Sequence, residues 1–331
     1  MKSVRLHRTG DLRIHDEPVP VASEGERLVH VKSVGVCGSD LHWFSEGEIG
    51  DAKLERPLVL GHEFAGETDA GQRVAVDPAI SCGHCEYCEH GHPNLCANMV
   101  FAGHGKQDGA LREWMAWNEK CFFSIPDSIT YDEGAMLEPL GVAIHSVDLG
   151  KLKTGMTVGV FGCGPIGLLI IQLAKLSGVT QIIASDKLPH RVEAAKAYGA
   201  DHVFLAGDNS QLSEFRAATR GRGVDVAFEA AGEQDAVNTS VAAVLPGGKV
   251  ILAGIPDDDK TSFSASTARR KGLTIKLVRR MKHTYPRAIE LVSKGLVDVR
   301  SLVTHRFPLE QASEAFRVAE RREGLKVIIN L

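Results

Sequence analysis

A glycine-rich turn near the middle of the chain leaves few folds open to it. Residues 157–161 read Thr-Val-Gly-Val-Phe, which is typical of a buried strand, and residues 166–176 have apolar side chains at helical spacing. Between the two lies the hexapeptide Gly-Cys-Gly-Pro-Ile-Gly, residues 162–167. A G-x-G-x-x-G turn between a strand and a helix is typical of an α/β domain that binds a dinucleotide.

Each glycine of this turn has its own role in such a domain. Gly162 permits the tight turn, Gly164 lets the backbone approach a pyrophosphate, and Gly167 lets the helix and strand pack closely. The start of the helix, at Pro165 and Ile166, attracts phosphates. A structural glycine turn without a ligand is the alternative, but the strand and helix on either side favour the dinucleotide.

An acidic residue lies where it would choose between dinucleotides. Asp186 ends the next predicted strand, 19 residues after Gly167. A carboxylate there accepts hydrogen bonds from the adenosine ribose and repels a 2′-phosphate, so NAD is favoured over NADP. Lys187 and Arg191 weaken that repulsion because they carry the opposite charge.

The two halves of the sequence differ in their secondary-structure patterns. Beyond the turn, strand patterns at 181–185, 203–204, 224–228 and 249–253 alternate with helical stretches, which predicts βαβ units and a parallel sheet. Before about residue 140 we find short strand patterns separated by glycines, including a hairpin around Gly10, and no long helical period before Asp132. We therefore expect an N-terminal domain that is mostly β.

Four cysteines are crowded into one short segment, residues 82–96. Their spacing, C-x2-C-x2-C-x7-C, suits four thiolates that converge on one tetrahedral Zn²⁺. An iron–sulfur cluster is a rival, although no second cluster or proline after the last cysteine supports it. Four protein ligands leave no open position, so this metal would be structural. The ligands would be Cys82, Cys85, Cys88 and Cys96.

Composition excludes several other classes of protein. The net charge of the 331-residue chain is −4, and no Lys or Arg lies between Cys82 and Cys96, so neither the chain nor the cysteine segment favours nucleic-acid binding. No apolar run approaches the roughly 18 residues of a membrane span, and the N-terminus does not have the pattern of a signal peptide. Seven cysteines, an odd number, point to the reducing cytoplasm.

Three further clusters offer side chains for catalysis. They are the motifs C-G-S-D-L-H at 37–42, G-H-E at 61–63 and E-P at 138–139. Cys37, His62 and Glu63 could bind a Zn²⁺ while leaving one position open for water or substrate. Each cluster alone is ambiguous, because an isolated Cys or His in a β domain is more often a packed or surface residue.

Taken together, these motifs resemble the zinc-dependent medium-chain dehydrogenase/reductase superfamily, and most closely its polyol branch of sorbitol, galactitol and idonate dehydrogenases. Further matching segments are D-G-A-L-R-E-W at 108–114 and V-T-H-R-F-P-L at 303–309. The resemblance implies an α/β fold in which a GroES-like β-rich catalytic domain is formed by both chain ends, 1–141 and 281–331. A Rossmann NAD-binding domain, 142–280, is inserted between them.

The same resemblance implies a ligand set and a proton path. Cys37, His62 and Glu63 would hold the catalytic zinc, with Glu138 reaching the metal directly or through water. The zinc would polarise a substrate hydroxyl, and hydride would pass to the nicotinamide. Ser39 would take the hydroxyl proton and pass it towards His42 and solvent.

Other residues would contact the cofactor or the substrate. Besides the glycine-rich turn, Asp186 and Arg191, the resemblance implies cofactor contacts from Ala253, Gly254, Ile255 and Arg280. Trp43, Glu138 and Arg280 would face the substrate. Trp43 stands where sorbitol dehydrogenases tend to carry a tyrosine, so the substrate could be shorter or less hydroxylated than sorbitol.

The sequence therefore predicts an enzyme with two Zn²⁺ per chain, NAD, and an alcohol or polyol substrate. We expect a cytoplasmic homodimer or homotetramer with no nucleic-acid or membrane partner. Threonine-type and glucose-type dehydrogenases of the same superfamily remain alternatives. In other classes, the alternatives are a non-catalytic nucleotide-binding protein and a zinc module that binds nucleic acid.

Overall fold

A computed structural model describes residues 1–207 and 211–331 of the chain. The backbone forms two compact units. The first consists of Met1–Pro139 together with Tyr285–Leu331, and the second is Leu140–Thr284. The first unit therefore contains both ends of the chain.

The N-terminal part of the first unit consists mainly of short strands. The strands are β1 (Lys2–Arg8), β2 (Asp11–Asp16), β3 (Glu26–Gly35), β4 (Glu48–Ile49), β5 (Ala52–Lys53), β6 (Leu58–Val59), β7 (Glu63–Thr68), β8 (Arg73–Val76), β9 (Ala79–Ile80), β10 (Val100–Phe101), β11 (Trp114–Asn118) and β12 (Phe122–Ser124). The helices are α1 (Gly38–Glu46), α2 (Glu86–Glu89) and α3 (Tyr131–Ala135), with short 3-10 helices at Pro93–Leu95 and Glu119–Cys121.

Helix α4 (Leu137–Gly150) leads into the second unit, which alternates strands and helices. Its strands are β13 (Thr157–Phe161), β14 (Gln181–Asp186), β15 (His202–Leu205), β16 (Val224–Glu229), β17 (Val244–Leu252) and β18 (Thr274–Leu277). The helices are α5 (Pro165–Leu176), α6 (Pro189–Ala197), α7 (Gln211–Ala218), α8 (Gln234–Ala243) and α9 (Ala265–Lys271). The chain then returns to the first unit through α10 (Tyr285–Ser293), β19 (Val303–Pro308), a 3-10 helix (Leu309–Gln311), α11 (Ala312–Glu320) and β20 (Lys326–Asn330).

The central sheet of the first unit joins strands from both chain ends. Its order is β12-β8-β7-β3-β20-β19, and β11 also pairs with β3. The C-terminal strand β20 is antiparallel to β3, with Ile328 opposite Gly35. Apolar side chains from β1, β3, β7, β11 and α11 form one buried core. The predicted hairpin is confirmed, because β1 and β2 pair antiparallel around the turn at Gly10.

Helix α1 lies in the part of the chain where the sequence shows no long helical period. It spans nine residues from Gly38 and ends at Gly47, whose φ of 76° closes the helix in the left-handed conformation. The Asp40 carboxylate accepts a hydrogen bond from the backbone N–H of Cys37 at 3.0 Å, so a local contact fixes the start of the helix. The helix is too short to show a clear period in the sequence.

The second unit is a doubly wound parallel sheet, as predicted. Its strand order is β15-β14-β13-β16-β17-β18. From β13 the chain adds strands first towards one edge of the sheet and then, from β16, towards the other. Phe161 at the end of β13 pairs with Ser185 of β14 and with Glu229 of β16. The turns that follow these strands therefore meet at one edge of the sheet, where such folds bind dinucleotides.

No helix in the described ranges, 1–207 and 211–331, has the length and apolar character needed to cross a lipid bilayer.

Candidate functional site

Two segments of the first unit bring three potential metal ligands together. Cys37 precedes α1, His62 immediately precedes β7, and Glu63 is the first residue of that strand. One ligand atom from each of these residues lies within 4.8 Å of the others. His62 and Glu63 are 5% and 1% exposed, so their polar atoms are almost entirely removed from solvent.

A buried carboxylate holds these two segments against each other. Asp40 Oδ2 accepts the N–H of Cys37 at 3.0 Å, and Oδ1 accepts the N–H of Gly61 at 3.1 Å. Oδ1 also lies 3.3 Å from Nδ1 of His62. Burial tends to raise the pKa of Asp40, but His62 and the two N–H groups outweigh it and lower that pKa. The aspartate is therefore an anion that orients the His62 ring.

A second buried charge faces Glu63. The Nζ of Lys326, on β20, forms an ion pair with Glu63 Oε2, and the two side chains are only 3% and 1% exposed. Burial tends to lower the pKa of Lys326, but Glu63 and Cys37 outweigh it and raise that pKa. The ammonium thus balances negative charge in a place that water does not reach.

These donors fit a catalytic zinc site. A thiol sulfur, an imidazole nitrogen and a carboxylate oxygen are ligands that Zn²⁺ accepts, and three of them leave one position open. A carboxylate on the second ring nitrogen of a metal-bound histidine is the usual support for such a ligand. Asp40 supplies this support through its contact with Nδ1 of His62, which leaves Nε2 of the same ring for the metal.

The two residues predicted to transfer a proton lie on one helix. Ser39 and His42 are both in α1, and Ser39 Oγ lies 3.4 Å from Nε2 of His62. His42 Nδ1 lies 3.1 Å from a carboxylate oxygen of Glu46, one turn further along. The serine is therefore beside the candidate metal centre, and the histidine is one helical turn away.

Glu138 and Trp43 remain predictions as ligand or substrate contacts. Glu138 is buried in the first turn of α4, and it does not belong to the three-residue group formed by Cys37, His62 and Glu63 among the described residues. Trp43 is 1% exposed, and its ring packs edge-on against His104 with the centroids 5.5 Å apart.

The four cysteines of segment 82–96 also converge. One sulfur from each lies within 4.8 Å of the others, and all four are free thiols. The backbone N–H of His84 lowers the pKa of Cys82 to about 6, and the N–H of Cys82 donates to Cys96 Sγ at 3.3 Å. Four sulfurs in backbone loops that donate N–H groups to them fit a closed tetrahedral zinc site.

The glycine-rich turn of the second unit has the geometry that its sequence implies. Gly162 has φ 99°, and a Cβ on Gly167 would lie 1.9 Å from the carbonyl oxygen of Gly162, so only glycine fits there. A Cβ on Gly164, by contrast, would meet nothing closer than the Arg191 guanidinium at 3.5 Å. Gly164 is the N-cap residue of α5, so its backbone lies at the helix N-terminus, where a pyrophosphate would bind.

Asp186 is tied to the same turn. Its carboxylate accepts the N–H of Cys163 at 2.7 Å and that of Leu188 at 2.9 Å, and the residue is 8% exposed. Lys187 is held in an ion pair with Glu233. The lysine expected to weaken the repulsion of a 2′-phosphate is therefore already neutralised in part.

The remaining predicted cofactor residues follow the next strands. Ala253, Gly254 and Ile255 continue directly from the end of β17, and Arg280 follows β18 with a left-handed φ of 53°. Their contacts with cofactor or substrate remain predictions.

Asp40 and Lys326 belong to the site, although no role was predicted for either. Asp40 could have been found, because it lies inside the 37–42 motif three residues after Cys37. Lys326 had a weaker signal, a single charge in the apolar strand Lys-Val-Ile-Ile. Only the pairing of β20 with β3 places it near Glu63.

Family comparisons agree with this geometry. Residues 23–127 match the alcohol dehydrogenase GroES-like domain, and residues 165–294 match the zinc-binding dehydrogenase family. A sorbitol dehydrogenase of Bacillus subtilis (strain 168) is 38% identical over 99% of this chain and 97% of its own length.

Solved structures have the same fold. An alcohol dehydrogenase of Escherichia coli CFT073, complexed with NADH, superposes with a TM-score of 0.92 at 30% identity over 100% of this chain and 99% of its own. A protein of Sinorhizobium meliloti 1021 described as a zinc-binding dehydrogenase, bound to NADP, superposes with a TM-score of 0.89 at 30% identity over the same shares. The chain belongs to the zinc-dependent medium-chain dehydrogenase/reductase superfamily, in its polyol dehydrogenase-like branch.

Proposed function

We propose that this protein is a zinc-dependent dehydrogenase that transfers hydride from a secondary alcohol of a polyol or sugar acid to NAD. One observation carries the proposal: Cys37, His62 and Glu63 converge in a buried site that Asp40 and Lys326 hold in place. A non-catalytic member of the fold would have no need to keep two buried charges around three zinc-type donors.

The relatives support the substrate class. The sorbitol dehydrogenase of B. subtilis aligns over nearly its whole length, and a D-xylulose reductase of Arthroderma otae, itself named as probable, is 36% identical over 96% of this chain. Structures of an L-idonate 5-dehydrogenase and a galactitol-1-phosphate dehydrogenase of E. coli superpose with TM-scores of 0.92 and 0.90. All four names describe sugar-derived alcohols, acids or ketoses.

Cys37, His62 and Glu63 would hold the catalytic zinc, and Glu138 is a fourth candidate. Cys82, Cys85, Cys88 and Cys96 would hold a structural zinc. When bound at the first site, zinc supplies Lewis-acid polarisation of the substrate hydroxyl. Asp40 keeps Nε2 of His62 available as a ligand by taking Nδ1, and Lys326 offsets the charge of Glu63.

Ser39 and His42 would carry the proton of the substrate hydroxyl. Ser39 Oγ lies beside His62 and can accept a proton from a neighbouring hydroxyl as it donates its own. His42, with one ring nitrogen facing Glu46, would take up that proton on its imidazole and release it to solvent.

The second unit would bind NAD through the turn at 162–167. Gly164 and the first residues of α5 present backbone to the pyrophosphate, and Asp186 faces the adenosine ribose. The ion pair with Glu233 occupies the ammonium of Lys187, so this charge is less available to bind a 2′-phosphate, which supports NAD over NADP.

We further propose that the protein acts in the cytoplasm as a homodimer or homotetramer. Strand β18 ends the order of the parallel sheet, and its Leu277 is 73% exposed, which suits pairing with a second copy of the chain. For the functional domains we propose the limits 1–141 with 281–331, and 142–280, which differ by two to four residues from the compact units Met1–Pro139 with Tyr285–Leu331 and Leu140–Thr284. Light scattering of the purified protein will measure the mass of the assembly.

A substrate screen tests the proposed function. The zinc-loaded protein is incubated with NAD and, separately, sorbitol, xylitol, galactitol, idonate, threonine, glucose and simple alcohols, and formation of NADH is followed by absorbance. We expect the highest kcat/KM with a polyol or sugar acid. Preference for threonine or glucose would assign a different branch, and no turnover with any alcohol would refute the proposal.

A further inference from the structure

A buried carboxylate in the second unit takes no part in the chemistry described above. Glu229 is the last residue of β16 and is 1% exposed. Its Oε1 accepts two backbone hydrogen bonds, from the N–H of Ala231 and the N–H of Gly232, both at 2.8 Å. The side chain therefore folds back on the loop that follows its own strand, residues 230–233.

The backbone of Glu229 holds a second loop. Its carbonyl oxygen accepts the N–H of Ala253 at 2.8 Å and the N–H of Gly254 at 3.2 Å, just after β17. One residue thus binds the turns that follow two neighbouring strands, through its carboxylate on one side and its carbonyl on the other.

The two loops touch without room for a side chain. A Cβ on Gly254 would lie 2.1 Å from the nitrogen of Gly232 and 2.7 Å from Glu229 Oε2. A Cβ on Gly232 would lie 2.3 Å from the carbonyl oxygen of Ile255. Glycine at both positions keeps the loops in backbone contact, with the carboxylate next to that contact.

The loop at 230–233 also supports the glycine-rich turn. The N–H of Ala230 donates to the carbonyl of Phe161 at 2.8 Å, and a Cβ on Gly162 would lie 2.7 Å from the nitrogen of Ala231. Loop 230–233 is therefore held between the turn at 162–167 on one side and residues 253–255 on the other.

A carboxylate in this place has a cost that an apolar residue would avoid. Burial raises the pKa of Glu229, although the N–H groups of Ala231, Gly232 and Gly254 act in the opposite direction. The N–H groups of Ala231 and Gly232 point to the side chain, and that of Gly254 points to the backbone carbonyl of Glu229. Because the loops do not continue the sheet, acceptors on Glu229 satisfy these groups.

We propose that Glu229 is a positioning residue for the dinucleotide, which fixes loop 230–233 and residues 253–255 as the surface under the nicotinamide half of the cofactor. In a doubly wound sheet the second group of strands, here β16–β18, takes one mononucleotide and the first group takes the other. The inference rests on the NAD-binding part of the proposed function and is independent of the alcohol substrate.

Binding to the unmodified and the Glu229→Gln protein tests this role. An amide keeps the size of the side chain, and its oxygen can still accept from Ala231 and Gly232. Its NH2 group, however, takes the place of Oε2 beside Gly254 and offers no acceptor there. We expect the Kd for NADH, measured by fluorescence titration, to rise about tenfold. The Kd for ADP-ribose, which lacks nicotinamide, should rise less than threefold. The control is Glu193→Gln, an exposed glutamate of α6, which should bind both ligands like the parent protein.

The possible results separate this inference from the proposed function. If the parent protein fails to bind NADH, the proposed function is wrong. If it binds NADH and Glu229→Gln binds equally well, or loses NADH and ADP-ribose to the same extent, the positioning role is refuted. Should Glu229→Gln not fold, Glu229→Asp keeps the charge but shortens the reach, and the same two Kd values decide.

Discussion

At the scale of single residues, the candidate site depends on buried charges that meet from distant parts of the chain. Cys37, His62 and Glu63 could be predicted from the sequence because their residue types and short motifs are typical of zinc ligands. The partner of Glu63 could not, because Lys326 approaches it only after β20 pairs with β3. Sequence motifs identify the ligands, whereas the tertiary structure brings in the charged residue that balances Glu63.

Removing the ammonium from this pair should destabilise the protein in a zinc-dependent way. Lys326→Met leaves Glu63 buried without its partner, which costs about 3 kcal/mol. We expect that loss in zinc-depleted protein, measured by urea denaturation, and a smaller loss in zinc-loaded protein, because the metal charge also stabilises Glu63.

The exposed Lys120→Met is the matched control and should leave the urea midpoint nearly unchanged. An equal loss of stability with and without zinc would show that Glu63 does not face the metal.

The preference for NAD is a second prediction at this scale. Asp186→Ala removes the carboxylate that accepts two N–H groups of the turn, so binding of both dinucleotides should weaken. For NADP alone, loss of the carboxylate also removes its repulsion of the 2′-phosphate. The ratio of kcat/KM for NAD to that for NADP should therefore fall about tenfold or more. Steady-state kinetics with both cofactors measures the ratio, and an unchanged ratio would contradict the ribose assignment.

At the scale of elements, amphipathic helices and buried strands were predictable, and short context-dependent ones were not. The spacing of apolar residues at 166–176 predicted α5 to within one residue at each end. Helix α1 was not predicted because its nine residues are too few for a repeating apolar pattern. The helix is stabilised by Asp40 and by packing of Trp43 and Phe44. This missed helix carries both predicted proton-transfer residues, Ser39 and His42.

The cysteine segment 82–96 should depend on metal for its order. Among its side chains only Asn94 and Cys96 are buried, so it has little apolar core of its own. Cys88→Ser should remove one zinc and make the segment sensitive to limited proteolysis, while the NADH Kd of the second unit stays within about twofold.

The exposed Glu89→Ala, one residue further along, is the control and should resist protease like the parent protein. Equal resistance of Cys88→Ser would argue that the thiols do not hold a structural metal.

At the scale of the whole molecule, the chemistry is divided between two compact units. The first unit, built from both chain ends, holds the three candidate ligands, and the second holds the glycine-rich turn. The fold class was predictable because the strand–turn–helix pattern and the alternating strands are local features. The joining of β20 to β3 has no local signal, and only the family resemblance implied it.

The most direct test of the catalytic zinc is the metal content of three proteins together with their turnover of a polyol. Inductively coupled plasma mass spectrometry should find two zinc ions per chain in the parent protein and one in both Cys37→Ser and Cys88→Ser. Turnover should be abolished in Cys37→Ser, while its NADH Kd stays within about twofold. Two zinc ions or a near-normal kcat in Cys37→Ser would contradict the account.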